Sequence, residues 1–274
     1  MQFSAYGKSD IGVGRPSNQD RFVIDGLMKF AVVCDGAGGQ RAGHVAAEAA
    51  ARIVRETIRD HHPLLRELYR QPNEGGYFDE IERLLRDAVC RANSEIHEQS
   101  TADDALRGMC TTCTLIQILG EHAFIAHVGD SRCYRVRGTD VQQLTRDHTY
   151  GEMLERLADA QSAALVSGYA NILTRAVGAR PSLEVDVSWV RIEAGDRFIL
   201  CSDGVSKVCD IPTVVAELGE TSHRAVLVER LIDSALDRST RDNATAVVIA
   251  LEKAAASIKN GPRRSGDSRI SAQF

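Results

Sequence analysis

Four aspartates stand at the ends of four apolar runs, each beside a turn-forming residue. Asp35 follows Phe30-Ala-Val-Val-Cys34 and precedes Gly36, and Asp130 follows Ala123-Phe-Ile-Ala-His-Val-Gly129 and precedes Ser131. Asp203 follows Arg197-Phe-Ile-Leu-Cys-Ser202 and precedes Gly204, while Asp242 and Asn243 precede the run Thr245-Ala-Val-Val-Ile-Ala-Leu251. Singly, each is first a turn signal, and aspartate is depleted inside strands in any case. Together they constrain more. A rigid sheet holds strand-end carboxylates at fixed positions, and fixed oxygen ligands are what a hard cation such as Mg²⁺ or Mn²⁺ requires. The pattern points to a metal-dependent hydrolase built on sheets.

The rest of the chain supplies the layers. Strand-like runs at Arg21–Asp25 and Phe30–Cys34 lead through a glycine-rich turn into a helical stretch over Gly43–Asp60, with apolar residues at spacings of three and four. Pro63 and the segment Gln71-Pro-Asn-Glu-Gly-Gly76 predict a loop, and a second helix spans Tyr77–Gln99. Strands at Cys113–Leu119, His122–Val128 and Arg132–Arg137, separated by short turns, read as an antiparallel meander. The stretch from Asp147 to Gly178 is weakly patterned and partly helical. Strands are expected again at Glu184–Val190 and Arg197–Cys201, helices at Pro212–Leu218 and His223–Arg238, and a last strand at Thr245–Leu251. Grouped strands with grouped helices between them argue for an α+β layered domain over residues 1–252. Residues 253–274, with Gly-Pro-Arg-Arg-Ser-Gly-Asp-Ser-Arg among them, read as a disordered tail.

With 274 residues, 43% of them hydrophobic, the chain can build one large core or two small ones. A net charge of −5 offers no basic footprint for nucleic acid. The apolar runs are too short and interrupted to span a membrane, and the first residues lack the basic and apolar regions of a signal peptide. The cytoplasm is the expected location. Of the seven cysteines, Cys110 and Cys113 form a C-x-x-C. No second pair or thioredoxin-like context accompanies them, so they read as small buried residues in a reducing compartment. The loop Gly36-Ala-Gly-Gly-Gln-Arg-Ala-Gly43 lacks the Lys-Ser/Thr of a P-loop, and Arg41 stands where a dinucleotide fingerprint needs its third glycine.

Eight ordered segments then resemble a known family: Arg15-Pro-Ser-Asn-Gln-Asp20, Val33-Cys-Asp-Gly-Ala-Gly-Gly39, Cys110-Thr-Thr-Cys-Thr114, His127-Val-Gly-Asp-Ser-Arg132, Leu144-Thr-Arg-Asp-His148, Ile172-Leu-Thr-Arg-Ala-Val-Gly178, Leu200-Cys-Ser-Asp-Gly204 and Arg241-Asp-Asn-Ala-Thr245. The chain resembles the metal-dependent Ser/Thr protein phosphatases of the PPM (type 2C) family, in their compact bacterial form. The resemblance implies a four-layer α/β/β/α sandwich with two central antiparallel sheets. It implies two Mn²⁺ or Mg²⁺ ions, with room for a third. Asp35 would bridge two ions, with the Gly36 carbonyl on one of them. Asp203 and Asp242 would complete the first ion's shell. Asp20 would support the second ion or brace Arg15, Asp130 would hold the weaker third ion, and Arg15 would grip the substrate phosphate. A metal-activated water would hydrolyse phospho-Ser or phospho-Thr in protein substrates, opposing a eukaryotic-type Ser/Thr kinase.

The chain departs from the family pattern in three places. Ala37 stands where animal members have histidine, Cys110 replaces a glycine, and the flap segment Tyr150–Tyr169 is weakly patterned. His44, His127 and His148 share no ligand-like spacing and are expected to be structural. The alternative reading is a pseudophosphatase acting as a regulatory binding module. The presence of Asp35, Asp203 and Asp242 argues against it.

Overall fold

The computed structural model describes residues 1–70, 77–157, 168–219 and 223–253. The expected tail beyond Lys253 and the middle of the expected flap lie outside the described residues. In chain order the main elements are β1 (Gln2–Asp10), β2 (Asp20–Asp25), β3 (Phe30–Ala37), α1 (Gly39–Arg70), α2 (Tyr77–Ala102), β4 (Cys110–Thr111), β5 (Cys113–Leu119), β6 (His122–Val128), β7 (Arg132–Arg137), β8 (Asp140–Gln143), α3 (Tyr150–Leu157), β9 (Asp186–Arg191), β10 (Arg197–Cys201), α4 (Asp203–Ser206), α5 (Ile211–Leu218), α6 (Arg224–Asp237) and β11 (Ala244–Glu252).

One sheet runs β1-β11-β10-β7-β8 and the other β2-β3-β5-β6-β9, with β4 paired to β3. All these pairings are antiparallel. Side chains alternate across a strand, and three apolar layers follow. Along β11, Val247, Ile249 and Leu251 join Ala31, Val33, Phe198 and Leu200 between the sheets. Ala244, Ala246 and Val248 face the other way, onto α5 and α6 with Val215, Leu227 and Leu231. Phe30, Val32 and Cys34 of β3 turn outward onto α1 and α2, against Val54, Ile58, Leu85 and Val89. The result is the expected four-layer α/β/β/α sandwich. No helix among the described residues is long and apolar enough to cross a membrane.

The structure corrects the sequence reading in three places. α1 does not stop before Pro63 but passes through it to Arg70. Proline removes one backbone donor from the helix, but Leu65 beyond it is fully buried in the core, and that packing carries the helix on. Residues Gln2–Asp10, unassigned from sequence, form an edge strand paired with β11 along its whole length. The third correction matters most for the site. β5 and β6 form a hairpin, but β7 does not continue a meander: it joins the opposite sheet beside β10. The chain changes sheets at Gly129-Asp130-Ser131, where Gly129 takes φ 109 and a Cβ would lie 2.5 Å from Thr112 Cγ2. Only glycine accepts both the backbone angle and the close approach.

Candidate active site

Sheet pairing brings the singled-out residues to one end of the sandwich. Asp35 lies near the end of β3 and Asp20 opens β2, the two being direct cross-strand partners. Asp130 sits in the sheet-to-sheet crossing, Asp203 opens α4 just after β10, and Asp242 lies two residues before β11 begins at Ala244. Arg15 rides on the loop between β1 and β2. Arg15, Asp35, Gly36, Asp130, Asp203 and Asp242 all line one cavity of about 760 Å³. Asp20 is 1% exposed, behind the cavity wall.

Backbone locks fix these positions. The Asp35 amide donates to Thr112 Oγ1 (2.9 Å), and the Asp35 carbonyl accepts from the Thr112 amide (2.8 Å) and from Thr111 Oγ1 (2.9 Å). Thr112 Oγ1 also shares a hydrogen bond of 2.7 Å with Ser131 Oγ, tying Asp35 to the turn that carries Asp130. A Cβ on Gly36 would fall 2.1 Å from the Gly43 carbonyl oxygen, so the turn into α1 closes only around glycine. Asn243, 4% exposed, accepts from the Gln19 amide (2.8 Å) and donates to the carbonyls of Ile11 (2.8 Å) and Ser17 (3.1 Å). It thereby holds the Arg15 loop over Asp242.

The electrostatics call for positive charge. Burial, then repulsion from Asp20, Asp203, Asp130 and Asp242, pushes the Asp35 carboxyl well above the usual range. Part of the Asp35 surface opens to the cavity, while protein crowds the carboxyl on its other sides. Burial pushes Asp20 up to about 6, although Thr245 Oγ1 (2.6 Å) and Ser202 Oγ (2.7 Å) both donate to its Oδ2. Asp130 is also raised, by burial and by Asp203.

Two side-chain cations enter the cluster. Arg15 Nη2 lies 2.6 Å from Asp242 Oδ2, and Lys207 Nζ lies 2.8 Å from Asp130 Oδ2 and 2.6 Å from Asp203 Oδ2. Burial would lower the Lys207 ammonium, but the carboxylates of Asp203 and Asp130 outweigh it and hold the group above its ordinary pKa.

Among the described residues, no three His, Cys, Asp or Glu side chains converge as a ready-made metal cage. The donor set nevertheless fits hard cations. It offers only carboxylate and carbonyl oxygen, and two of its buried oxygens, Asp20 Oδ1 and Asp203 Oδ1, have no hydrogen-bond partner. Buried acceptors left unpaired are costly, and a cation would satisfy them. Arg15 pairs with Asp242, while the Asp20 carboxylate is held by Ser202 and Thr245.

The remaining candidates fall outside the cavity chemistry. His44 is absent from the cavity wall. His127 is buried, with Nδ1 on Thr114 Oγ1 (2.9 Å) and Nε2 on the Arg146 carbonyl (2.9 Å). His148 Nδ1 accepts from the Gly129 amide (3.2 Å), while its Nε2 meets Asp186 Oδ2 (3.1 Å), so this ring braces the crossing turn. All seven cysteines are free. A hydrogen bond with Cys113, together with burial, holds the Cys34 thiol well above its ordinary pKa, which suits a packing role.

Carboxylates carried by both sheets and one arginine thus meet at a single cavity whose oxygen donors suit hard cations. The sequence model of the family described as Protein phosphatase 2C matches residues 6–249, and the chain belongs to that family. It is 30% identical over 259 residues to Protein phosphatase PhpP of Streptococcus pneumoniae, covering 89% of this chain and 96% of that one. It is 32% identical over 205 residues to Serine/threonine phosphatase stp of Listeria monocytogenes, covering 73% and 77% respectively. Among solved structures, the catalytic domain of serine threonine protein phosphatase PstP in complex with 2 manganese ions superposes with a TM-score of 0.74 at 28% identity, covering 91% of this chain and 98% of that one.

Proposed function

We propose that the Asp35 cavity is the hydrolytic centre of this metal-dependent protein serine/threonine phosphatase. The observation that carries the assignment is the convergence of Asp35, Asp130, Asp203 and Asp242 with Arg15 on one cavity. Buried carboxylate oxygens on Asp20 and Asp203 without partners add to it. Asp35, the Gly36 carbonyl, Asp203 and Asp242 would hold two divalent ions, with Asp20 supporting from the adjacent strand β2. When bound, such ions supply Lewis acidity toward a water and positive charge toward the phosphoryl oxygens. Either Mn²⁺ or Mg²⁺ suits oxygen-only ligands.

The chain's own residues do the rest. Arg15, half-exposed at the cavity mouth, swings from Asp242 to the incoming phosphate, whose oxygens its planar fork matches in pairs. That movement also frees Asp242 Oδ2. Thr112 holds Asp35 and the Asp130 turn in register, and Asn243 holds the Arg15 loop, so the cluster is organised before substrate arrives. Ala37 carries no proton, and His44 is off the cavity wall, so the proton for the departing Ser or Thr oxygen comes from water.

The substrates are phosphorylated proteins. A eukaryotic-type Ser/Thr kinase and its targets are the expected counterparts, and free thiols throughout suit a reducing cytoplasm. The test is phosphate release from a phosphothreonine peptide with Mn²⁺ present. Wild type should turn over and a folded Asp35→Asn variant should not. Equal turnover by both would overturn the assignment.

A further inference from the structure

The family resemblance assigns Asp130 to a third, weakly held ion, but here a side chain fills that place. Lys207 closes α4, four residues after Asp203, and its amide donates to the Asp203 carbonyl (2.9 Å), which fixes the start of its side chain. Its Nζ lies between Asp130 Oδ2 (2.8 Å) and Asp203 Oδ2 (2.6 Å). The side chains of these two aspartates are only 6% and 18% exposed.

The two oxygens of Asp203 are therefore divided. Oδ2 faces the ammonium, while Oδ1 is buried without a partner and remains for the catalytic ions. A third divalent ion shared by Asp130 and Asp203 would need the space and the oxygens that Lys207 already takes. An ammonium within hydrogen-bond reach of both carboxylates offsets part of their charge, and it does so without drawing a metal from solution.

We propose that Lys207 supplies a tethered cation in place of a third metal ion, so that the centre of this chain is built for two. The inference rests on the metal-centre reading above. It follows that the charge balance on the Asp130 side does not depend on the free metal concentration. Removing the ammonium should open a third site, because Asp130 and Asp203 would then face each other uncompensated.

The test is a count of Mn²⁺ bound per full-length chain at saturation, by equilibrium dialysis with metal analysis, alongside a thermal melt for folding. Wild type should hold two ions, and so should Asp130→Asn. Lys207→Ala should gain a third, weaker ion, and Lys207→Gln, which keeps most of the stem, should do the same if the alanine variant fails to fold. The double variant Lys207→Ala/Asp130→Asn should return to two. Three ions on wild type, falling to two in Asp130→Asn, would overturn the proposal, as would folded Lys207 variants that stay at two. Fewer than two ions on wild type would overturn the dinuclear reading, and the Lys207 inference with it. That failure is distinguishable because it appears before any substitution at Lys207.

Discussion

Arg15 Nη2 sits 2.6 Å from Asp242 Oδ2, so the residue expected to bind phosphate is docked on a residue expected to bind metal. The pair is half-exposed, with side-chain exposures of 49% and 34%, so its own contribution to stability is small, about 0–1 kcal/mol. Arg15→Ala should therefore fold normally. It should chiefly raise KM for a phosphopeptide, by roughly tenfold or more, because the guanidinium holds the phosphate in ground and transition states alike. Steady-state kinetics decide it: a fall in kcat at unchanged KM would show that Arg15 acts only in the transition state.

Ala37 and His44 together yield a kinetic expectation. A histidine acting as general acid contributes on the order of 10²–10⁴-fold, and His44 is the nearest candidate in sequence. It lies off the cavity wall, so His44→Ala should be nearly silent on both an aryl phosphate and a phosphothreonine peptide. A peptide-specific loss of about a hundredfold in the folded variant would identify His44 as the proton donor.

His127 makes acid stability a readout of the packing beneath the site. Burial, and then the neighbouring His148, depresses its pKa to about 4 from the ordinary 6.5. Between those values the unfolded imidazole binds a proton that the folded one refuses. Its contribution to stability is complete above about pH 6.5 and is lost progressively as the pH falls to about 4, on the order of 3 kcal/mol in all. His127→Gln can still donate to the Arg146 carbonyl and does not titrate. Its unfolding free energy should fall less steeply than that of wild type across this window. Parallel curves would contradict a neutral, buried His127.

Removing the residues after Lys253 should leave the melting temperature and basal activity almost unchanged. We base this on sequence: the segment lacks apolar periodicity and cannot bury a face, while β11 is already complete at Glu252. A drop of many degrees in a truncated chain would show that the segment packs on the domain.

Much of this architecture was legible because its signals are local. Buried runs such as Phe198-Ile-Leu-Cys201 are apolar from end to end, and the helices declare themselves by spacing. The strand-end aspartates could be singled out because turns and sheets fix where carboxylates stand. What escaped depends on distant partners. Gln2–Asp10 is polar and half-buried, and it is a strand because β11 lies beside it. Gly129-Asp130-Ser131 has the residues of a tight turn, and nothing local distinguishes a hairpin from a crossing between sheets. The close approach of Thr112 to Gly129 is a contact between distant residues that no local pattern reveals. Lys207 could have been found: an aspartate followed by lysine four residues later is a helical ion pair. Its second partner, Asp130, comes from the turn that crosses between the sheets, far away in the chain, and sequence spacing cannot supply that.

The most direct measurement is phosphate release from an aryl phosphate as divalent metal is added and then withdrawn. An oxygen-only site that keeps several waters binds its ions modestly, so metal-free protein should be almost inactive. Added Mn²⁺ or Mg²⁺ should restore turnover, and excess chelator should abolish it reversibly while the melting transition persists. Asp35→Asn should stay inactive at every metal concentration. Strong hydrolysis persisting in excess chelator, or an Asp35→Asn chain as active as wild type, would contradict a metal centre organised around Asp35.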